Sequence, residues 1–101
     1  MEKLTTNPDV IIIGAGSAGC VLANRLTEND THSVLLLEAG PKDLNPWIHI
    51  PIGYGKNFRN PKINWMFQTA AGDNWVKKPV PTPRGKVIGG SSSINGMVYM
   101  R

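Results

Sequence analysis

Two unbroken apolar runs mark the amino-terminal part of the chain, and each ends in residues that stop a strand. Val10-Ile-Ile-Ile13 follows Asp9, and Val34-Leu-Leu-Leu37 follows Ser33. Continuity, without alternation of apolar and polar positions, predicts strands buried on both faces, as in a parallel sheet. Between the runs, Ala18, Val21, Leu22 and Leu26 recur at helical spacing while Asn24, Arg25 and Glu28 fall on the other side. That pattern predicts an amphipathic helix from Ser17 to about Asn29, broken at Asn29-Asp30-Thr31.

The joints carry the candidate chemistry. Gly14-Ala15-Gly16-Ser17-Ala18-Gly19 links the first strand to the helix, and Glu38-Ala39-Gly40-Pro41 closes the second strand. Strand, glycine turn, helix and strand fit into 30 residues, with an acid 19 residues beyond the last glycine. G-x-G-x-x-G alone is a weak signal, but a strand before it, a helix after it and a following acid are the context of a dinucleotide site. Gly14 permits a sharp turn, Gly16 leaves room for a pyrophosphate, and Gly19 lets the helix pack closely on the sheet. The free N–H groups and positive dipole end of the helix start then face the phosphates. Glu38 stands where it can accept hydrogen bonds from ribose hydroxyls, and it would repel a 2′-phosphate. A glycine-rich turn without a ligand stays open as an alternative. The nucleophile elbow G-x-S-x-G does not fit, because Ala15 stands at its first glycine. A phosphate-binding P-loop fails because Cys20-Val21 replaces the Lys-Ser/Thr pair.

Residues 41–83 are harder to read, being punctuated by Pro41, Pro46, Pro51, Pro61, Pro79, Pro81 and Pro83. Trp47-Ile-His-Ile50 and Asn64-Trp-Met-Phe67 are short apolar islands, expected as strands or buried loop anchors. Trp47, Trp65 and Trp75 are expected to be packing anchors, and His32 and His49 to be structural or solvated. Beyond them, Arg84-Gly85-Lys86-Val87-Ile88-Gly89-Gly90-Ser91-Ser92-Ser93 offers paired glycines and successive N–H and hydroxyl groups, suited to an anion or a polar cofactor chain. A plain turn, with Ser91 or Ser92 capping a short helix, reads equally well from these residues alone.

Composition adds limits. Gly and Pro together number 19 of 101 residues, which suggests tight turns and long ordered loops. Residues 1–52 hold three basic and six acidic side chains, whereas residues 53–101 hold eight basic and one acidic. The basic residues, among them Lys56, Arg59, Lys62, Lys77 and Lys78, are scattered and form no helical stripe, so no nucleic-acid partner is expected. Cys20 is the only cysteine, no Cys/His cluster has metal spacing, and no apolar stretch is long enough for a transmembrane segment. A cytoplasmic setting is expected, at most peripheral to a membrane.

Three blocks together resemble the glucose–methanol–choline (GMC) oxidoreductases, flavoproteins that oxidise alcohols: Gly14 to Leu26, Leu35 to Gly40, and Pro83 to Met97. The resemblance runs over about residues 8–101 and is weakest across 41–82, although Trp47 to Pro51 and Asn64-Trp65 also look familiar. Within the family the chain looks most like choline-dehydrogenase-like alcohol dehydrogenases. The resemblance implies FAD in place of NAD, with the pyrophosphate at Gly14, Ala15, Gly16, Ser17, Ala18 and Gly19 and the adenosine ribose at Glu38, beside Ala39 and Gly40. It places the stretch from Arg84 to Val98 along the flavin and pyrophosphate, through Gly89, Gly90 and Ser91. Asn95 and Gly96 would lie nearest the reactive ring, with Met97 and Val98 following. Some members link the flavin through a histidine where Ile94 stands, so noncovalent FAD is expected here. The family transfers a hydride from the alcohol carbon to the flavin while a histidine base takes the hydroxyl proton. The resemblance places that base beyond Arg101, and no catalytic residue is assigned in this chain.

The expected fold class is therefore α/β: a Rossmann-like FAD/NAD(P)-binding βαβ unit with long Pro/Gly-rich loops, incomplete without downstream chain. Residues 1–101 read as the amino-terminal portion of an FAD-binding domain whose substrate domain is absent. Two strands and one helix are too few for a parallel sheet covered on both faces, so the isolated chain is expected to be marginal or aggregation-prone and without turnover. The favoured reading is part of an FAD-dependent alcohol oxidoreductase that acts on a small alcohol. The alternatives are a non-catalytic flavin-binding polypeptide that needs a second chain, and a segment of an NAD-dependent dehydrogenase.

Overall fold

The structure, a computed structural model, describes residues 7–71 and 78–100. Strand β1, Val10–Ile13, lies parallel to strand β2, Val34–Leu37, with Val10 opposite Val34 and Ile13 opposite Leu37. Helix α1, Ser17–Thr27, makes the crossover between them. Parallel neighbours need such a crossover, because a tight hairpin cannot join strands that run the same way. The helix ends two residues before the expected Asn29. The Thr27 hydroxyl donates to the Ala23 carbonyl (2.8 Å), and Asp30 then turns the chain out at φ +52.

The helix meets the sheet through Gly19, as expected, and the larger residues of its apolar stripe are left outward. Gly19 is buried and Cys20, Ala23 and Leu26 are half-buried, whereas Ala18, Val21 and Leu22 are exposed. Close approach decides this: a methyl on Gly19 would stand 1.9 Å from the Gly14 carbonyl oxygen and 3.3 Å from the Ile12 side chain. The helix settles onto its smallest residue. The sheet also departs from burial on both faces. Ile12 lies under α1 at 7% exposure, while Ile11 and Ile13 on the opposite face are 56% and 87% exposed.

At the amino ends of the strands, the Asp9 carboxylate accepts hydrogen bonds from the Ser33 N–H and hydroxyl, each at 2.7 Å. These bonds, the backbone one foremost, hold the Asp9 carboxyl below its ordinary value.

The Pro-rich middle is regular in short pieces. Helix α2, Pro46–His49, a 3₁₀ turn at Pro51–Gly53 and helix α3, Tyr54–Asn57, follow one another. Trp47–His49 therefore lies in a helix, against the expectation of a strand or loop anchor. Pro46 presets the first helical residue, and the Asn45 side chain accepts from the Trp47 N–H at 3.0 Å. Strand β3, Phe67–Gln68, pairs antiparallel with strand β4, Pro81–Thr82, and Asn64 bridges to Gly85. Ile63, Val87 and Ile94 form a second core with Ile48 packed against it.

Ser91 and Ser92 are not helix caps. They lie inside a 3₁₀ turn, Gly90–Ser93, entered through Gly89 at φ +93 with no side-chain cap. His32 touches the Thr31 hydroxyl on the surface. His49 lies beside Asp43, whose carboxylate is 3.7 Å from its ring nitrogen. Trp75 and Lys77 lie outside the described residues. Among the described residues, no cluster of His, Cys, Asp and Glu has metal-site geometry, and no helix is long and apolar enough to cross a membrane.

Candidate functional site

The carboxyl ends of β1 and β2 open onto a crevice of about 640 Å³. Such ends are where open parallel sheets place ligands. One wall is Ile13, Gly14, Gly16, Leu37, Glu38 and Ala39; the other is Trp65, Phe67, Arg84, Gly85, Gly90 and Ser91.

The first wall is built from backbone. Gly14 donates to the Leu37 carbonyl at 2.7 Å and then turns at φ +98, a conformation that side chains disfavour. The first bond of the helical ladder runs from Cys20 N–H to the Gly16 carbonyl at 2.9 Å. The N–H groups of Ser17, Ala18 and Gly19 thus fall outside the ladder, at the positive end of the helix. A methyl on Gly16 would meet nothing nearer than the Gly90 Cα at 4.0 Å, so its side of the turn is open. That open, donor-rich concavity fits a pyrophosphate.

Glu38 is tied into the same turn. One carboxylate oxygen accepts from Ala15 N–H at 2.8 Å and the other from Gly40 N–H at 2.9 Å. Each oxygen has a second lone pair, so both backbone bonds are compatible with further acceptance from a hydroxyl in the crevice.

Side chains make the second wall. Trp65 and Phe67 stack with centroids 5.8 Å apart and ring planes 5° from parallel, and Lys86 Nζ lies 4.8 Å from the Trp65 ring centroid. Asn64 holds these residues in place. It is 2% exposed; its Oδ1 accepts from Met66 N–H (3.0 Å) and Arg84 N–H (3.1 Å), and its Nδ2 donates to the Phe58 carbonyl (2.9 Å). The Trp65 N–H donates in turn to the Arg84 carbonyl at 2.9 Å. Buried amides of this kind are satisfied or costly, and Asn64 has both ends satisfied.

Of the residues expected to bind a cofactor, Gly14, Gly16, Glu38, Ala39, Arg84, Gly90 and Ser91 come together around one crevice. Asn95 lies in an adjoining hollow of about 270 Å³ that shares Arg84 and Ser91. Ala15 is buried behind the turn and Gly19 against the sheet, while Ser17 and Ala18 are exposed at the helix start. Gly40 and Gly89 lie behind the walls: Gly40 packs on the Lys86 backbone, and Gly89 donates to the Ala15 carbonyl at 2.7 Å. Gly96, Met97 and Val98 are exposed and line neither hollow. The sequence reading missed Phe67 as a wall residue and treated Trp65 as a packing anchor. No sequence signal announced the pair, because Met66 between them turns the chain at φ +57 and strand periodicity does not apply.

Known proteins resemble this chain in sequence and in structure. The family model described as Lycopene cyclase protein matches residues 9–97, a span that takes in both glycine motifs. An alcohol dehydrogenase [acceptor] of Pseudomonas putida is 56% identical over 93 residues, which is 92% of this chain and 17% of that protein. An oxygen-dependent choline dehydrogenase of Vibrio vulnificus is 54% identical over the same shares. The crystal structure of pyridoxine 4-oxidase from Mesorbium loti superposes with a TM-score of 0.85 at 38% identity, covering 94% of this chain and 18% of that one. The chain thus spans about one sixth of the length of the relatives it matches. With its βαβ unit, both glycine motifs and these identities, the chain belongs to the glucose–methanol–choline oxidoreductases.

Proposed function

We propose that this chain forms the FAD-binding part of an oxidoreductase acting on the CH–OH group of a small alcohol. The observation that carries this reading is the open glycine turn with Glu38 bonded to its Ala15 N–H, the two together forming one wall of the crevice. The helix-start N–H groups of Ser17, Ala18 and Gly19 hold the pyrophosphate, and Glu38 accepts from the adenosine ribose. Ala39 lines the crevice beside Glu38, and the exposed Trp65–Phe67 stack offers a flat apolar surface to the adenine. Arg84 and Ser91, shared by the crevice and the adjoining hollow, lead the cofactor chain toward Asn95. When bound, the flavin supplies the hydride acceptor. This chain's part is to bind and orient it. Ile94 is 2% exposed in the second core and has no nucleophilic atom, which favours noncovalent attachment.

The family's members share the frame and differ in substrate: the relatives above are named for an alcohol, choline and pyridoxine. Substrate contacts and the proton-accepting base belong to the remaining length of the enzyme.

The test is reconstitution of the full-length protein. Purified protein should carry flavin absorbance at one FAD per chain, release it on acid precipitation, and lose its yellow colour when an alcohol substrate is added without oxygen. Retention of NAD in place of flavin, or no nucleotide at all, would overturn the reading. Flavin that stays with the precipitate would overturn noncovalent attachment alone.

A further inference from the structure

Of the paired glycines of the second motif, Gly90 lines the crevice and Gly89 lies behind it, and both meet the first motif. Gly89 N–H donates to the Ala15 carbonyl at 2.7 Å, while Ala15 N–H donates to Glu38 at 2.8 Å. Both polar groups of Ala15, the residue between Gly14 and Gly16, are therefore held, the N–H by Glu38 at the end of β2 and the carbonyl by the second motif. The Cys20 thiol adds a weaker contact to the same carbonyl at 3.3 Å. Ala15 itself is 1% exposed, so neither group has water as a substitute partner. Gly90 then presses against the turn. It sits at φ +60, and a Cβ there would stand 2.8 Å from the Gly16 Cα, a backbone atom that cannot swing away.

The rest of the second motif is fixed closely enough to act as a support. Gly85 N–H donates to the Ser91 hydroxyl at 3.0 Å, Ser93 donates to the Ile88 carbonyl at 2.9 Å, and Ile88 N–H reaches the Pro41 carbonyl at 3.1 Å. The support thus joins the chain just beyond β2 as well as the turn after β1.

We propose that Gly89, Gly90 and Glu38 form a clamp on Ala15 and Gly16 that sets the phosphate-facing turn, with Gly89 and Gly90 as positioning residues. The inference rests on the FAD reading above, but assigns the second motif's glycines a role that acts through the first. A side chain at position 90 would push Gly16 into the space of the pyrophosphate, whatever the fit at the flavin end. The effect should therefore appear with any ligand that carries adenosine and a pyrophosphate.

The experiment compares FAD and ADP binding to the full-length apoprotein, by flavin fluorescence and calorimetry, in wild type, Gly90→Ala and Gly90→Asn. Thermal unfolding reports folding separately. The clamp predicts that both variants lose affinity for FAD and for ADP by the same factor, about tenfold or more, because small misplacements of a binding group are costly. Asparagine tolerates the left-handed backbone better than alanine. Recovery with Gly90→Asn would show that position 90 needs only its backbone conformation, and would overturn the clamp. Loss of FAD with ADP unchanged, or no loss with either, would overturn it too. Wild-type protein that binds neither ligand would instead sink the FAD reading itself. If neither variant folds, hydrogen exchange on the wild-type apoprotein decides. Slow exchange at the Ala15 and Gly89 amides is expected, and free exchange at both would overturn the proposal.

Discussion

In the glycine wall of the crevice, backbone groups form the surface and a single carboxylate steadies them; in the facing wall, aromatic and cationic side chains form it and a single buried carboxamide steadies them. Glu38 gathers Ala15 and Gly40 from either side of itself, and Asn64 gathers Met66 and Arg84. The difference lies in what each wall tolerates. Backbone donors are supplied by any sequence that leaves the turn uncovered, so the first wall is sensitive to added atoms. The second depends on side chains held at an angle, so it is sensitive to atoms removed.

That contrast is broken most severely at Gly16. A methyl there has free space in the protein, since its nearest neighbour would be 4.0 Å away, so Gly16→Ala should leave the melting temperature of the apoprotein almost unchanged. The same methyl would intrude on the place proposed for the pyrophosphate, and FAD should be absent from the purified full-length protein. A variant that purified fully flavinated would place the cofactor elsewhere. Asn64→Ala should act in the opposite sense, on stability first. Two N–H groups and a carbonyl would lose their partner in a buried place, at about 1–3 kcal/mol for each group left unsatisfied. Chemical denaturation should show the loss with FAD absent, and an unchanged midpoint would refute the role given to Asn64.

Glu38→Ala is expected to weaken FAD binding more mildly, by roughly 1.5–3 kcal/mol for bonds to a charged acceptor. A titration of the apoprotein measures it, and a loss confined to folding would remove Glu38 from the ribose. The smallest effect belongs to Asp9, at the far end of the strands. Its folded-state pKa is lowered, so its contribution is present above the unfolded value and disappears as pH falls through the folded one. Asp9→Asn should therefore flatten the acid limb of the stability profile below the ordinary carboxylate range, while FAD affinity near neutrality stays put. An unaltered acid limb would show that the Ser33 bonds contribute nothing.

The two walls were unequally legible in sequence. The first needs only short-range information: an apolar run, glycines at fixed offsets and an acid at the end of the next run determine it, and β1, α1 and β2 lie within about two residues of their predicted bounds. The motif's last glycine marked the contact of α1 with the sheet, while hydrophobic periodicity alone does not reveal that Val21 and Leu22 stay exposed. The second wall joins positions 20 residues apart through one amide. No local pattern announces such a bond, and of the prolines across residues 41–83, Pro46 and Pro51 open short helical pieces while Pro81 starts β4. For the segment from Gly89 onward, resemblance indicated the right neighbourhood. The structure adds that Gly89 stands behind the turn and Gly90 against it.

The bare outer side of the β1–β2 pair has a practical consequence. Ile11 and Ile13 form a greasy strip there, beside a crevice lip that carries Leu37. Expressed as a separate piece, this segment would offer the strip to whatever is at hand: detergent micelles, a dye that brightens in oil, or its own copies. Bright dye emission that fades once the remainder of the enzyme is supplied in trans would show the strip being covered.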